Sequence, residues 1–314
     1  MPRRQILCIS GGGYAGLFAA KFLAALEGEI KSSSTIGSHF DAFAGTSVGG
    51  MMALALAQGK SAAQVLSVMK DVGTKVFPKK RGGLLRALWG PKHEAAPLRM
   101  QLQNLLGTAR FGSLKCPAIV TAVDLASATP RIFRTYPNRN ESDSGISLLD
   151  VALATSAAPI FFPPHKIGNG LFADGGLVAN IPDHLAILEA VDRWGWQSND
   201  IYVLSIGTTY TPAGLLTNSV KGWGFFKWAR KKNLLEISMS AQMALAREVA
   251  TRLLPARHIV RIDPALGPEQ AKAIGLDVST AAAKETLQAL AEREVINLDP
   301  LVKKQFLGHV PGPL

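Results

Sequence analysis

A serine lies at the centre of the pentapeptide Gly-Thr-Ser-Val-Gly at residues 45–49, which matches the pattern G-x-S-x-G. This pattern is typical of a nucleophile elbow, a sharp turn from a strand into a helix that holds a serine hydroxyl clear of the backbone. Gly45 and Gly49 would support that turn, because a Cβ atom at either position would clash with neighbouring backbone. Ser47 is therefore the candidate nucleophile, although a structural tight turn would also fit these five residues.

A serine nucleophile needs a base, and Asp174 is the candidate. It lies between an apolar run and two glycines, Gly175 and Gly176, in the sequence Phe-Ala-Asp-Gly-Gly. Partial burial would raise the pKa of this carboxyl above its usual value near 3.9, so that it could accept the serine proton directly. Two alternatives stay open: a plain turn at Asp-Gly-Gly, and a Ser47–Asp174–His258 triad in the chain order of α/β-hydrolases.

A glycine-rich loop, Ser-Gly-Gly-Gly-Tyr-Ala-Gly at residues 10–16, joins an apolar strand-like run to a helix-like segment. Its spacing also fits the phosphate loop of a dinucleotide-binding enzyme. That fold expects an acidic residue at the end of the next strand, where this chain has Gly-Thr-Ser. We therefore expect the successive amides of Gly11, Gly12 and Gly13 to stabilise a tetrahedral oxyanion. Gly16 would support the loop at the start of the helix.

Strand-like and helix-like segments alternate along the chain and predict an α/β fold with a mainly parallel central sheet. We expect residues 1–314 to form a single domain with surface excursions at about 77–106 and 212–235. The predicted strands lie at 5–9, 40–44, 118–125, 131–136, from 201 and at 258–262. The predicted helices lie at about 15–27, 51–58, 62–71, from 147, at 182–194 and in the last fifty residues.

Composition adds expectations about partners and location. The formal net charge of +11 favours anionic partners. The chain has two cysteines and no C-x-x-C pattern, and Cys8 lies in an apolar run, which fits a buried thiol in a reducing compartment. The longest apolar run, residues 51–57, is much shorter than the roughly 20 residues needed to span a bilayer, so a cytoplasmic location is expected. The apolar, basic segments 84–89 and 223–228 would either enter a lipid interface or close over the active site.

With these three motifs in this order, the chain resembles the patatin-like phospholipases. The resemblance runs from about residue 6 to 207 and includes residues 154–164 and Asn180-Ile181-Pro182. It implies a three-layer α/β/α fold and a Ser–Asp dyad that hydrolyses fatty-acyl esters of phospholipids without a metal or organic cofactor. The family loop commonly reads D-G-G-G-x-R-G, whereas this chain has Ser10 in place of the Asp and Ala15 in place of the Arg.

The opening S-G-G-G-Y-x-G-L-F is also similar to that of bacterial patatin-like effectors of anti-phage systems. This narrower resemblance implies a cyclic oligonucleotide activator. For a phospholipase we also expect a phospholipid membrane surface as partner and peripheral association with the inner membrane face. No motif identifies a nucleotide pocket, DNA and RNA are not expected as partners, and a homo-oligomer is left open. A triad esterase and a non-catalytic lipid- or nucleotide-binding module remain the alternatives.

Overall fold

An eight-stranded sheet forms the centre of the computed structural model, which describes residues 3–30, 34–77, 90–135, 143–210 and 233–312, without the side chains of 233–236. The strand order is β5-β6-β3-β2-β1-β7-β8, and β4 pairs with β3. Five neighbouring strands run parallel, namely β3, β2, β1, β7 and β8. Strands β4, β5 and β6 pair antiparallel. The strands are β1 Arg4–Ile9, β2 Ala42–Thr46, β3 Ala118–Asp124, β4 Thr129–Arg134, β5 His165–Ile167, β6 Gly170–Asp174, β7 Ile201–Ile206 and β8 Ile259–Ile262.

Helices cover both faces of this sheet, because the parallel strands are apolar on both faces. In β1, Leu7 and Ile9 join one hydrophobic cluster, and Ile6 and Cys8 join the other. The predicted three-layer α/β/α fold is confirmed. The helices are α1 Gly16–Glu27, α2 Val48–Ala57, α3 Ala62–Lys75, α4 Ala95–Leu106, α5 Leu148–Thr155, α6 Gly176–Ala179, α7 Asp183–Asp192, α8 Asn233–Leu253, α9 Pro268–Ala273, α10 Ala281–Asn297 and α11 Pro300–Leu307.

Most predicted elements are present, with boundaries that differ by a few residues. The strand expected at 40–44 lies at Ala42–Thr46, so β2 runs directly into Ser47, and α2 begins at once at Val48. Helix α8 was not predicted, because its buried positions Ala246 and Ala250 are small and weaken the periodic signal. Residues 84–89 and 223–228, predicted to contact lipid or cover the site, lie outside the described residues.

No helix in the described ranges has the length and apolarity required to cross a membrane.

The pairing of β3 explains how distant parts of the chain meet. Strands β2 and β6 pair with the same edge of β3, since β4 occupies its other edge along both stretches. Thr46, the last residue of β2, lies opposite Thr121, and Asp174, the last residue of β6, lies opposite Ala122. The carboxyl ends of β2 and β6 therefore meet head to head beside two consecutive residues of β3.

Candidate active site

Ser47 lies in a sharp turn between β2 and α2. Its backbone has φ 56° and ψ −127°, a conformation that costs a non-glycine residue on the order of 1–3 kcal/mol. A Cβ atom on Gly45 would lie 2.3 Å from the Gly49 carbonyl oxygen, and one on Gly49 would lie 2.2 Å from that of Ile9. Strand and helix therefore cross too closely for any side chain at these two positions, and the serine between them is held in the strained conformation.

The structure brings Ser47 and Asp174 into direct contact. Ser47 Oγ donates a hydrogen bond to Asp174 Oδ2 at 2.6 Å, and the Gly176 N–H donates to Asp174 Oδ1 at 2.7 Å. Both residues are buried. Burial raises the pKa of Asp174 to about 6, although the two hydrogen bonds oppose the shift. A Cβ on Gly175 would lie 2.2 Å from Thr121 Oγ1, which shows how closely the end of β6 approaches β3.

Two threonines that no sequence motif indicated, Thr121 and Thr155, support the elbow through hydrogen bonds. The Ser47 N–H donates to Thr155 Oγ1 at 2.7 Å, and the Thr155 hydroxyl donates to the Thr121 carbonyl oxygen at 2.6 Å. Thr155 ends α5, so it connects the elbow to a helix about a hundred residues further along the chain. The stretch 154–164, which carries part of the family resemblance, contains Thr155 and was the available signal.

The glycine loop differs from the prediction in one respect. The Gly11 N–H donates to the Asn180 carbonyl oxygen at 3.1 Å, so this amide is already used and does not serve an oxyanion. Within the described residues, the N–H groups of Gly12 and Gly13 have no protein acceptor, and both precede α1. The N–H groups of Gly12 and Gly13 thus remain as backbone donors beside the cavity. They lie just before the N-terminus of α1, whose dipole favours negative charge there. Gly16 packs against Val48, where a Cβ would lie 2.7 Å from the valine methyls.

Side chains from three distant segments hold the glycine loop in place. The Gly11 carbonyl oxygen accepts from Thr208 Oγ1 at 2.8 Å and from Asn180 Nδ2 at 3.3 Å. Arg261, on β8, donates to Ser10 Oγ at 3.2 Å and pairs with Asp263. A largely but not fully buried cation thus reaches the loop from β8, in a chain whose position 15 has alanine instead of the family arginine. No local sequence signal could have identified Arg261 in this role.

Ser47 and Asp174 open onto a cavity of about 620 Å³. This volume is typical of sites for small molecules. The glycine loop lies at the same cavity, and one wall is formed by aliphatic and aromatic side chains, which include Met51, Met69, Val72, Phe77, Phe161 and Phe162. Such a wall suits a hydrocarbon chain next to the nucleophile.

His258 lies away from Ser47. Its Nδ1 is 3.0 Å from the carbonyl oxygen of Ile201, the first residue of β7, and its ring stacks on Tyr202 at 4.0 Å between centroids. Ser47 follows the carboxyl end of β2. Strands β2, β1 and β7 are parallel, so the first residue of β7 lies at the amino-terminal end of the strands, away from Ser47. The alternative of a Ser47–Asp174–His258 triad is therefore wrong.

The described side chains include no group of three or more His, Cys, Asp and Glu residues placed to hold a metal ion.

The raised pKa of Asp174 predicts the acid limb of the pH profile. Because a base must be ionised to accept a proton, kcat/KM for a soluble ester should rise tenfold per pH unit below pH about 6 and level off above it. The same limb is expected in His258→Ala. If kcat/KM no longer fell at low pH in His258→Ala, or if it stayed constant down to about pH 4 in the wild type, Asp174 would not be the base.

This chain is similar to several known proteins. Residues 7–187 match the family described as Patatin-like phospholipase. A protein of Escherichia coli (strain TW11681), named cGAMP-activated phospholipase, is 33% identical over 311 residues, which cover 92% of this chain and 87% of that protein. A protein of the same name from Vibrio cholerae is 32% identical and is covered to 88%. The crystal structure of VipD from Legionella pneumophila is 13% identical, with a TM-score of 0.46, over 93% of this chain and 67% of that one.

The family match covers more than half of the chain, and a third of the residues are identical over nearly the whole length of the bacterial relative. This chain therefore belongs to the patatin-like phospholipase family.

Proposed function

We propose that this protein is a serine phospholipase, switched on by a cyclic oligonucleotide, that uses Ser47 and Asp174 to cleave fatty-acyl esters of membrane phospholipids. The contact between Ser47 Oγ and Asp174 Oδ2, 2.6 Å long and placed at an apolar cavity, is the observation that carries the proposal. Asp174 is the base best placed to take the serine proton. Strands and helices well beyond residue 187, among them β7, β8 and α10, build the same sheet layers, which supports one domain over residues 1–314.

The reaction follows from these positions. Ser47 Oγ attacks the ester carbonyl while its proton passes to Asp174, and the carbonyl oxygen takes up negative charge beside the N–H groups of Gly12 and Gly13. Asp174 returns the proton to the leaving alcohol, which leaves an acyl-enzyme on Ser47. A water molecule then attacks the acyl group while its proton passes to Asp174, the ester bond to Ser47 Oγ breaks, and Asp174 returns the proton to that oxygen as the fatty acid is released.

Activation by a cyclic oligonucleotide is supported by the relatives. Proteins of Escherichia coli, Vibrio cholerae and Pseudomonas aeruginosa that are named cGAMP-activated phospholipase match 90% or more of this chain. A net charge of +11 also favours an anionic ligand and the anionic lipids of the inner membrane face, where we place the enzyme as a peripheral protein.

Fatty-acid release from phospholipid vesicles, measured with and without cGAMP, tests the proposal. We expect hydrolysis to depend on cGAMP in the wild type and to be retained in His258→Ala, which lies at the opposite edge of the sheet. A rate in the wild type that is the same with and without cGAMP would contradict the switch. A strict requirement for His258 in a folded protein would contradict the dyad.

A further inference from the structure

Three large apolar side chains are exposed at positions that line the active-site cavity or lie between residues that line it. Ile160, Tyr210 and Leu276 have 49%, 37% and 40% of their surface accessible. Tyr210 and Leu276 line the cavity, and Ile160 lies between Pro159 and Phe161, which also line it. We call these three side chains the rim patch. Single exposed apolar residues are common on proteins, but a group at the mouth of an apolar cavity indicates an interaction site.

The rim patch is tied to the catalytic loop by hydrogen bonds. The Tyr14 N–H, which follows the glycine loop, donates to the Leu276 carbonyl oxygen at 2.8 Å. The Lys92 N–H donates to the Ile160 carbonyl oxygen at 2.8 Å, and the Lys92 ammonium pairs with Asp277, the residue after Leu276. Lys92 thus connects the segments that carry Ile160 and Leu276.

Ile160 has an unfavourable backbone conformation for its residue type. Its φ is 75°, a left-handed value that is rare for β-branched residues and that asparagine or glycine adopts more easily. An isoleucine here lowers stability and is also half-exposed to water. Such a residue is explained when its side chain has a partner outside the folded chain.

We propose that the rim patch is the surface with which this protein enters a phospholipid bilayer. The inference rests on the proposed function, since a phospholipid must leave the membrane to reach Ser47. If the cavity opening lies against the bilayer, the acyl chain passes from hydrocarbon to the apolar wall without contact with water. The rim side chains then bury their exposed surface among the lipids, as interfacial anchors do. A second copy of this chain is the competing occupant.

The test is a change of Ile160 to asparagine, which removes the apolar side chain and suits the left-handed backbone. Binding is measured by co-sedimentation with vesicles of phosphatidylethanolamine and phosphatidylglycerol in equal amounts, in a Ser47→Ala background so that the lipids stay intact. Loss of one buried aliphatic anchor should weaken binding about tenfold. The matched control is Ile296→Asn, at an isoleucine on α10 that is 79% exposed and whose chain neighbours do not line the cavity, and it should bind as the parent does.

Hydrolysis is measured with variants that retain Ser47. The ratio of the vesicle hydrolysis rate to the soluble-ester hydrolysis rate should fall in Ile160→Asn and stay constant in Ile296→Asn. Unchanged vesicle binding by Ile160→Asn would overturn the proposal, as would an equal loss with both substrates, which would place Ile160 in the acyl site. A change of oligomeric state with unchanged vesicle binding would identify a dimer interface instead. A wild type that binds vesicles through Ile160 but hydrolyses no lipid in the presence of cGAMP would contradict the proposed function and leave the rim patch standing.

Discussion

Replacing Ser47 by alanine should reduce phospholipid hydrolysis by about 10⁴-fold or more, because no other group occupies the position of the nucleophile. The fold should persist, because the elbow depends on the close backbone approaches at Gly45 and Gly49 and on the hydrogen bond from the Ser47 N–H to Thr155 Oγ1. None of these contacts involves the serine hydroxyl. Loss of one hydrogen bond to a buried carboxylate should lower stability by about 1–3 kcal/mol. Fatty-acid release and thermal unfolding measure the two effects.

Covalent labelling with a fluorophosphonate gives an independent readout of the same variant. Such probes react with an activated serine hydroxyl, so labelling should be lost in Ser47→Ala. Ser156 is the matched control, because it also lines the cavity but donates its hydroxyl to the Ala152 carbonyl oxygen at 2.6 Å. Ser156→Ala should still be labelled. Labelling or hydrolysis that persists in a folded Ser47→Ala protein would refute the assignment of the nucleophile.

Replacing Asp174 by asparagine should remove activity and at the same time stabilise the fold at neutral pH. Asparagine can accept from Gly176 N–H and donate to Ser47 Oγ, so the hydrogen bonds retain partners, but it cannot take up a proton. We expect a loss of about 10⁴-fold in kcat/KM, comparable to the loss when a catalytic triad is deprived of its carboxylate. Steady-state kinetics on a soluble ester, with the variant confirmed as folded, measure this effect.

The stability gain depends on pH in a defined direction. Burial raises the pKa of Asp174 from 3.8 to about 6, so the native state binds the proton more tightly than the unfolded chain does. The free energy of unfolding of the wild type therefore falls as pH rises from about 4 to about 6 and stays lower above that window. At neutral pH the ionised carboxylate costs on the order of 3 kcal/mol, which the asparagine avoids.

Denaturant unfolding of both proteins at several pH values tests this dependence. The two free energies should agree near pH 4 and diverge up to about pH 6. Asp71→Asn, at an exposed pair with Lys75 on α3, serves as control, and we expect it to change stability by less than about 0.5 kcal/mol. A destabilised Asp174→Asn protein at neutral pH would mean that the carboxylate contributes to the fold, and it would contradict the desolvation argument.

Local features of the site could be predicted from the sequence because their causes are local. Glycines at 45 and 49 around a serine, after an apolar run and before a helical one, permit a sharp turn whatever the rest of the chain does. The apolar runs of the parallel strands likewise predict a sheet that is covered on both faces. Helix α8 and the short strands β5 and β6 were not predicted, because small residues and short segments carry little periodic signal.

The elbow at Ser47, the mainly parallel sheet and an aspartate next to two glycines follow from residue types and their local order. Which of these groups meet depends on how the strands pack. Strands β2 and β6 pair with the same side of β3, which brings Ser47 into contact with Asp174, 127 residues further along the chain. His258 lies at the other end of the strands, beside the first residue of β7. The same packing uses the Gly11 amide for Asn180 and brings Arg261 to the loop. Such contacts depend on strand order and register, which local residue preferences do not encode.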